Sequence, residues 1–102
     1  MQFRQGDILL IKVSSIPKSA KKMPAKHGRI ILAEGESTGH SHSLDASRAS
    51  LYIEKNDQVF LLAEDDCTLV HQEHAPIDVA AASYKVVRQR EYQPEGIRNV
   101  MD

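Results

Sequence analysis

The chain contains no tryptophan, a single cysteine and only 5% aromatic residues. With one cysteine, Cys67, no internal disulfide bond is possible, which favours a reducing compartment. No apolar run approaches the roughly 20 residues of a membrane-spanning helix, and Met1–Asp7 lacks the apolar region of a signal peptide. We therefore expect a soluble cytoplasmic protein without a membrane partner. The scarcity of aromatic rings also weakens any interpretation based on base stacking.

An excess of charge of either sign is missing as well. The chain has 13 basic and 14 acidic residues, so its net charge is −1 with neutral histidines. Global charge therefore gives no reason to expect nucleic-acid or membrane binding, and an anionic partner would have to be recognised by a local cluster.

The pattern of apolar residues predicts one all-β domain. We expect a small antiparallel barrel or sandwich of about seven short strands over residues 1–93, with a loosely held tail over residues 94–102. No segment has convincing helical periodicity. The main predicted strands are Ile8–Val13, Ile30–Ala33, Ser50–Glu54, Val59–Ala63, Cys67–His71, Ile77–Val79 and Tyr84–Arg90.

Four of the five histidines fall into two short clusters. His40 and His42 form a His-x-His motif after Gly35, and His71 and His74 form a His-x-x-His motif before Pro76. Residues i and i+2 of a strand lie on one face, about 6.6 Å apart. A turn before Pro76 would turn the second pair inward. We therefore predict one site built from both clusters.

Histidine is the commonest metal ligand, so the primary hypothesis is a divalent transition metal: Zn, Fe, Ni or Mn. Glu73, Asp45 and Cys67 are weaker candidate ligands. Three protein ligands with an open position would allow the ion to activate water, whereas four would indicate a structural ion. Histidines beside Gly and Ser are also common in ordinary hydrogen-bonded loops, so a purely structural role stays open.

A second hypothesis uses the same histidines without a metal. Histidines titrate near neutral pH and act as general acid and general base. Here His40, His42, His71 and His74 would transfer protons during phosphodiester cleavage of RNA, with their individual roles unassigned. A lysine-rich loop would bind the phosphates; its residues are Lys18, Lys21, Lys22, Lys26 and Arg29.

A third hypothesis is a non-catalytic interaction module that forms homo-oligomers through exposed strand edges. The ligand in every case, a small molecule or RNA, is not specified by the sequence.

Two resemblances arise at these motifs. The segments Gly35–His42, His71–Ile77 and Tyr84–Tyr92 together resemble a group of short bacterial proteins of unassigned function, which implies a bacterial or phage cytoplasmic protein and no particular activity. The glycine followed by His-x-His also resembles the first metal motif of cupins, which implies that His40 and His42 are metal ligands. The glutamate that follows in cupins is absent; Asp45 is the nearest acid.

Overall fold

The computed structural model describes residues 2–34 and 39–88, which form ten strands and no helix. The all-β prediction is confirmed. Two predicted features, the turn at Gly35 and the tail over residues 94–102, lie outside the described residues. The strands are β1 (Gln2–Gln5), β2 (Ile8–Val13), β3 (Lys21–Met23), β4 (Arg29–Glu34), β5 (Ser41–Asp45), β6 (Ala49–Ile53), β7 (Val59–Ala63), β8 (Cys67–Leu69), β9 (Ile77–Val79) and β10 (Ala82–Arg88).

Six strands form one antiparallel sheet in the order β1-β2-β10-β7-β6-β3, and the hairpins β4–β5 and β8–β9 form two smaller sheets. The hairpins are joined by one isolated bridge, in which Ser43 and Val70 exchange backbone hydrogen bonds of 3.0 and 2.9 Å. Within the described residues the strands do not close into a barrel. The arrangement is sandwich-like.

The apolar core draws side chains from the large sheet and from both hairpins. Leu10, Leu44, Leu61 and Tyr84 are fully buried, and Leu69 is 1% exposed. Fully burying one such aliphatic side chain contributes about 1.5–3 kcal/mol. The core therefore fixes two strands relative to the large sheet: β5, which contains His42, and β8, which leads to His71.

Some details of the strand prediction were wrong: β8 ends at Leu69 and not at His71, and β5 is longer than the short strand expected at residues 43–44. The basic stretch after Pro17, expected to be a loop, contains β3, and the residues before Gly6 form β1. Both are edge strands of the large sheet, and each pairs with only one neighbour. A three-residue Lys-Lys-Met strand has too little apolar alternation to be recognised from sequence. It is a strand mainly because its backbone pairs with β6.

A membrane-crossing helix is not found among the described residues: none of their segments forms a helix with the necessary length and apolarity.

Candidate functional site

The two histidine motifs, 29 or more residues apart in the chain, meet in one cluster. The rings of His71 lie 4.4 Å from His42, 4.7 Å from His74 and 5.5 Å from His40, measured between centroids, and His42 and His74 stack at 6.0 Å. His42 is only 5% exposed, whereas His74 lies at the surface. The cluster therefore runs from a buried imidazole outward to solvent. We name these four residues the histidine cluster.

Local pairing explains why the motifs converge. His42 lies in β5, and the residue after it, Ser43, forms the bridge to Val70. Val70 in turn comes directly before His71. The backbone N–H of Ser41 donates a 2.8 Å hydrogen bond to Oε1 of Gln72, which holds the 71–74 loop against the start of β5. The two motifs, which the sequence analysis expected to form one site, therefore lie side by side in the structure.

The turn between β1 and β2, Gln5-Gly6-Asp7, forms the remaining wall of the cluster, and the sequence analysis did not identify it. Gly6 has φ +59°, and a Cβ placed on it would lie 2.6 Å from Nε2 of His74. Glycine is therefore required here both for the left-handed backbone and for the approach of the His74 ring. The only sequence signal was an ordinary Gly-Asp turn, which does not indicate a site.

Gln5 fixes the tautomer of His42. Its side-chain amide Nε2 donates 2.9 Å hydrogen bonds to the carbonyl oxygens of Leu69 and Ala75, so its Oε1 must be the atom that lies 2.9 Å from Nδ1 of His42. This assignment follows from the hydrogen-bond network. Nδ1 of His42 therefore carries a proton and donates to Gln5, which leaves the lone pair of the neutral ring on Nε2.

Nε2 of His42 faces the carboxylate of Asp7 at 3.4 Å. Burial lowers the pKa of His42, the nearby His71 and His74 lower it further, and Asp7 only partly opposes them. The pKa of Asp7 is also below its usual value: burial, the largest single cause, raises it, but the groups that lower it together outweigh burial, foremost the hydrogen bond and charge of Arg88 at 3.3 Å and then the backbone N–H of Asp7. At neutral pH the contact therefore joins a carboxylate to an uncharged imidazole and is not an ion pair.

The outer histidines have different hydrogen-bonding states. Nδ1 of His71 accepts backbone N–H bonds from Glu73 at 3.0 Å and from His74 at 3.3 Å. The neutral His71 ring therefore carries its proton on Nε2. Nδ1 of His40 lies 3.6 Å from Oε1 of Glu73, an acid that the sequence analysis named as a weaker ligand candidate. Glu73 thus lies beside the cluster, next to the partly exposed His40 ring.

Two other acidic or thiol candidates do not join the cluster. Asp45 lies at the other end of β5, where its carboxylate accepts hydrogen bonds from the backbone and hydroxyl of Ser47. Cys67 is buried in the core, which raises the pKa of its thiol. Among the residues that the structure describes, no group of three or more His, Cys, Asp or Glu side chains is arranged to hold a metal ion.

The basic residues are not brought to the histidine cluster. Lys21 and Lys22 lie on β3, at the opposite edge of the large sheet from β1. Arg29 pairs with Asp45 and its guanidinium donates to Oγ of Ser43, which follows His42 in β5 and points to the opposite face of that strand, and Lys26 bridges to Arg29. Lys18 lies in the connection that leads to β3. The basic side chains therefore belong to a different part of the surface.

A family model for a domain of unknown function, DUF8820, matches residues 4–89, well over half of the chain. The chain belongs to this family. The DUF8820 span contains every residue of the histidine cluster and of the Gln5-Gly6-Asp7 turn, so the site lies wholly inside the family domain. No curated protein and no solved structure matches the chain significantly.

Proposed function

We propose that the histidine cluster binds a divalent transition metal, with Nε2 of His42 and Oδ1 of Asp7 as the central ligand pair. The observation that carries this proposal is the approach of two hydrogen-bond acceptors to 3.4 Å, where His42 is buried and Asp7 is partly exposed. Two facing acceptors repel each other unless a cation lies between them. Ligand atoms about 2.1 Å from a tetrahedral ion lie about 3.4 Å apart, which matches this separation.

A proton could occupy the same position, but the lowered pKa of His42 disfavours it at neutral pH. A metal ion competes well there because it binds the deprotonated ring. The mixed nitrogen and oxygen ligands suit Zn²⁺, Fe²⁺, Ni²⁺ or Mn²⁺, among which ligand type does not decide.

His74 and His40 are the proposed additional ligands, and their side chains would have to turn toward the metal on binding, because the described residues contain no preformed group of three ligands. The ring of His74 stacks on His42 at 6.0 Å. The ring of His40 lies 5.5 Å from that of His71, and its Nδ1 is 3.6 Å from Oε1 of Glu73, so His40 belongs to the same group of side chains. His71 is the least suitable ligand because its Nδ1 accepts two backbone hydrogen bonds. A site completed on the exposed side by water would make the ion a potential activator of that water.

The proposal is tested by elemental analysis and Zn²⁺ titration of untagged protein. We expect about one equivalent of metal in the wild type and its loss in Asp7→Asn and His42→Gln. His27→Asn is the matched control, because His27 is an exposed histidine outside the cluster with a backbone φ of 52° that asparagine tolerates. Absence of stoichiometric binding after reconstitution with all four metals would overturn the proposal.

The tautomer of His71 favours a second candidate, metal-independent proton transfer. An Nε2–H donor at His71 lies beside His42, His40 and His74, so a donor and potential acceptors share one surface. RNA phosphodiester cleavage is the corresponding reaction. The basic residues would then contact a part of the RNA distant from the cleaved bond; they are Lys18, Lys21, Lys22, Lys26 and Arg29. Cleavage of RNA oligonucleotides in EDTA, lost in His71→Gln and kept in His27→Asn, would support it. Failure of both tests would favour a non-catalytic interaction module.

A further inference from the structure

We infer that Gln5 is a positioning residue that sets the tautomer of His42 and couples the two histidine motifs, although it supplies no metal ligand itself. This inference rests on the proposed metal function for its consequence in binding. Its structural part, the control of the His42 tautomer, is measurable in metal-free protein.

The side chain of Gln5 uses all of its hydrogen-bonding groups at buried positions. Gln5 is 2% exposed. Its two amide protons are donated to the carbonyl oxygens of Leu69 and Ala75, and its Oε1 accepts from Nδ1 of His42, each at 2.9 Å. A buried amide with three satisfied contacts cannot rotate without losing them, and a buried polar group left without a partner is unfavourable. The acceptor facing His42 is therefore fixed in place.

The two carbonyl groups bound by Gln5 flank the second histidine motif. Leu69 ends β8, and Ala75 follows His74 directly. One amide thus bridges both ends of the segment that carries His71 and His74, while its oxygen holds His42 from the first motif. The buried Gln5 therefore connects both histidine motifs to the β1–β2 turn.

The tautomer has a direct consequence for metal binding. With Nδ1–H donated to Gln5, Nε2 of His42 presents its lone pair to the position beside Asp7. If the Gln5 acceptor is removed, the Asp7 carboxylate becomes the remaining acceptor, and the ring proton is expected to move to Nε2. The lone pair would then point away from the proposed metal position. Loss of such a supporting partner typically weakens metal affinity 10–100-fold.

Two substitutions separate the two roles of Gln5. Gln5→Met keeps the length of the side chain but removes both the acceptor and the donors. Gln5→Glu keeps an acceptor for Nδ1–H of His42 but removes the two donors to the Leu69 and Ala75 carbonyls. Gln58→Met is the matched control, since Gln58 is a partly buried glutamine whose amide donates to Val86 at 3.5 Å, away from the cluster.

The experiment records ¹⁵N shifts of the His42 ring in metal-free protein, together with Zn²⁺ titrations of each folded variant. We expect Nδ1–H in the wild type, Gln5→Glu and Gln58→Met, and Nε2–H in Gln5→Met with about 10–100-fold weaker Zn²⁺ binding. An unchanged tautomer in Gln5→Met, or Zn²⁺ binding equal to that of the wild type, would overturn the inference.

If the wild type itself binds no Zn²⁺, the proposed metal function fails, and the tautomer measurement alone decides the role of Gln5. Should Gln5→Met not fold, Gln5→Glu carries the test. Retention of Nδ1–H with loosened 71–74 loop signals would support the coupling role, and loss of Nδ1–H there would contradict it.

Discussion

The histidine cluster and the basic segment were both conspicuous in the sequence, but the fold treats them differently. The histidines come from two distant motifs and converge on one another, with His42 nearly completely buried. The basic residues are neighbours in the chain, and all but the partly buried Arg29 remain exposed along the β3 edge and its flanking connections. The pairing of β5 with the residue before His71, and not proximity in sequence, therefore brings the imidazoles together.

The difference has a physical cause. Lysines on an edge strand remain hydrated and protect that edge from pairing with another chain, so they gain little from converging. Imidazoles can enter a partly buried site because they are uncharged when deprotonated and because other groups satisfy their nitrogen atoms. Gln5 does so for Nδ1 of His42, and the backbone N–H groups of Glu73 and His74 do so for Nδ1 of His71.

The largest effect is expected from the core beneath the histidine cluster. Leu44 is 0% exposed and lies in β5, two residues after His42. Leu44→Ala should reduce the free energy of unfolding by about 2–5 kcal/mol, because it removes transfer energy and leaves a cavity. Urea unfolding measures the change. A loss below about 1 kcal/mol would show that β5 is held mainly by its hairpin and loop contacts.

Comparing Gly6 with Gly28 tests the close contact between the β1–β2 turn and the His74 ring. Gly6 and Gly28 both have positive φ, +59° and +75°, but only at Gly6 would a Cβ meet the His74 ring. Gly6→Ala and Gly28→Ala should each cost about 1–2 kcal/mol from backbone strain. Only Gly6→Ala should shift the NMR signals of the His74 ring and weaken Zn²⁺ binding. Equal effects of both variants on His74 would contradict a specific contact.

The buried His42 should make stability depend on pH. Its pKa is lowered from 6.5 by burial first and then by the neighbouring imidazoles. Below pH 6.5 the unfolded chain therefore binds a proton that folded His42 does not. The free energy of unfolding should fall as the pH decreases from 6.5 toward the folded pKa. Metal-free urea titrations should show a weaker dependence in His42→Gln than in His27→Asn, and equal slopes would argue against a neutral His42.

The smallest effect is expected on the basic side. Lys21→Ala and Lys22→Ala alter exposed side chains on β3, so each should change the free energy of unfolding by less than about 0.5 kcal/mol. Zn²⁺ affinity should not change, because β3 lies at the sheet edge opposite β1. A marked loss of Zn²⁺ binding in either variant would remove the distinction between the two regions.

Much of the fold was predictable because apolar runs and turn residues mark the long strands. Ile8–Val13 and Val59–Ala63 appear in the structure with the predicted bounds. β1 and β3 were not predicted, since they are polar edge strands defined mainly by backbone pairing with a neighbour. In the site, the histidines were identifiable by type and spacing. Gln5 and Asp7 were not identifiable, because nothing in an ordinary turn sequence indicates that its side chains will face a distant histidine.

The sequence by itself determined the all-β class, the main strands and the identity of the four imidazoles, because hydrophobic pattern and residue chemistry are local properties. Tertiary structure decided which groups meet. The bridge between Ser43 and Val70 brings the two histidine motifs together, and the turn at Gly6 presents Gln5 and Asp7 to opposite nitrogens of His42. Tautomer, burial and the facing carboxylate are consequences of that packing, since each depends on atoms supplied by distant parts of the chain.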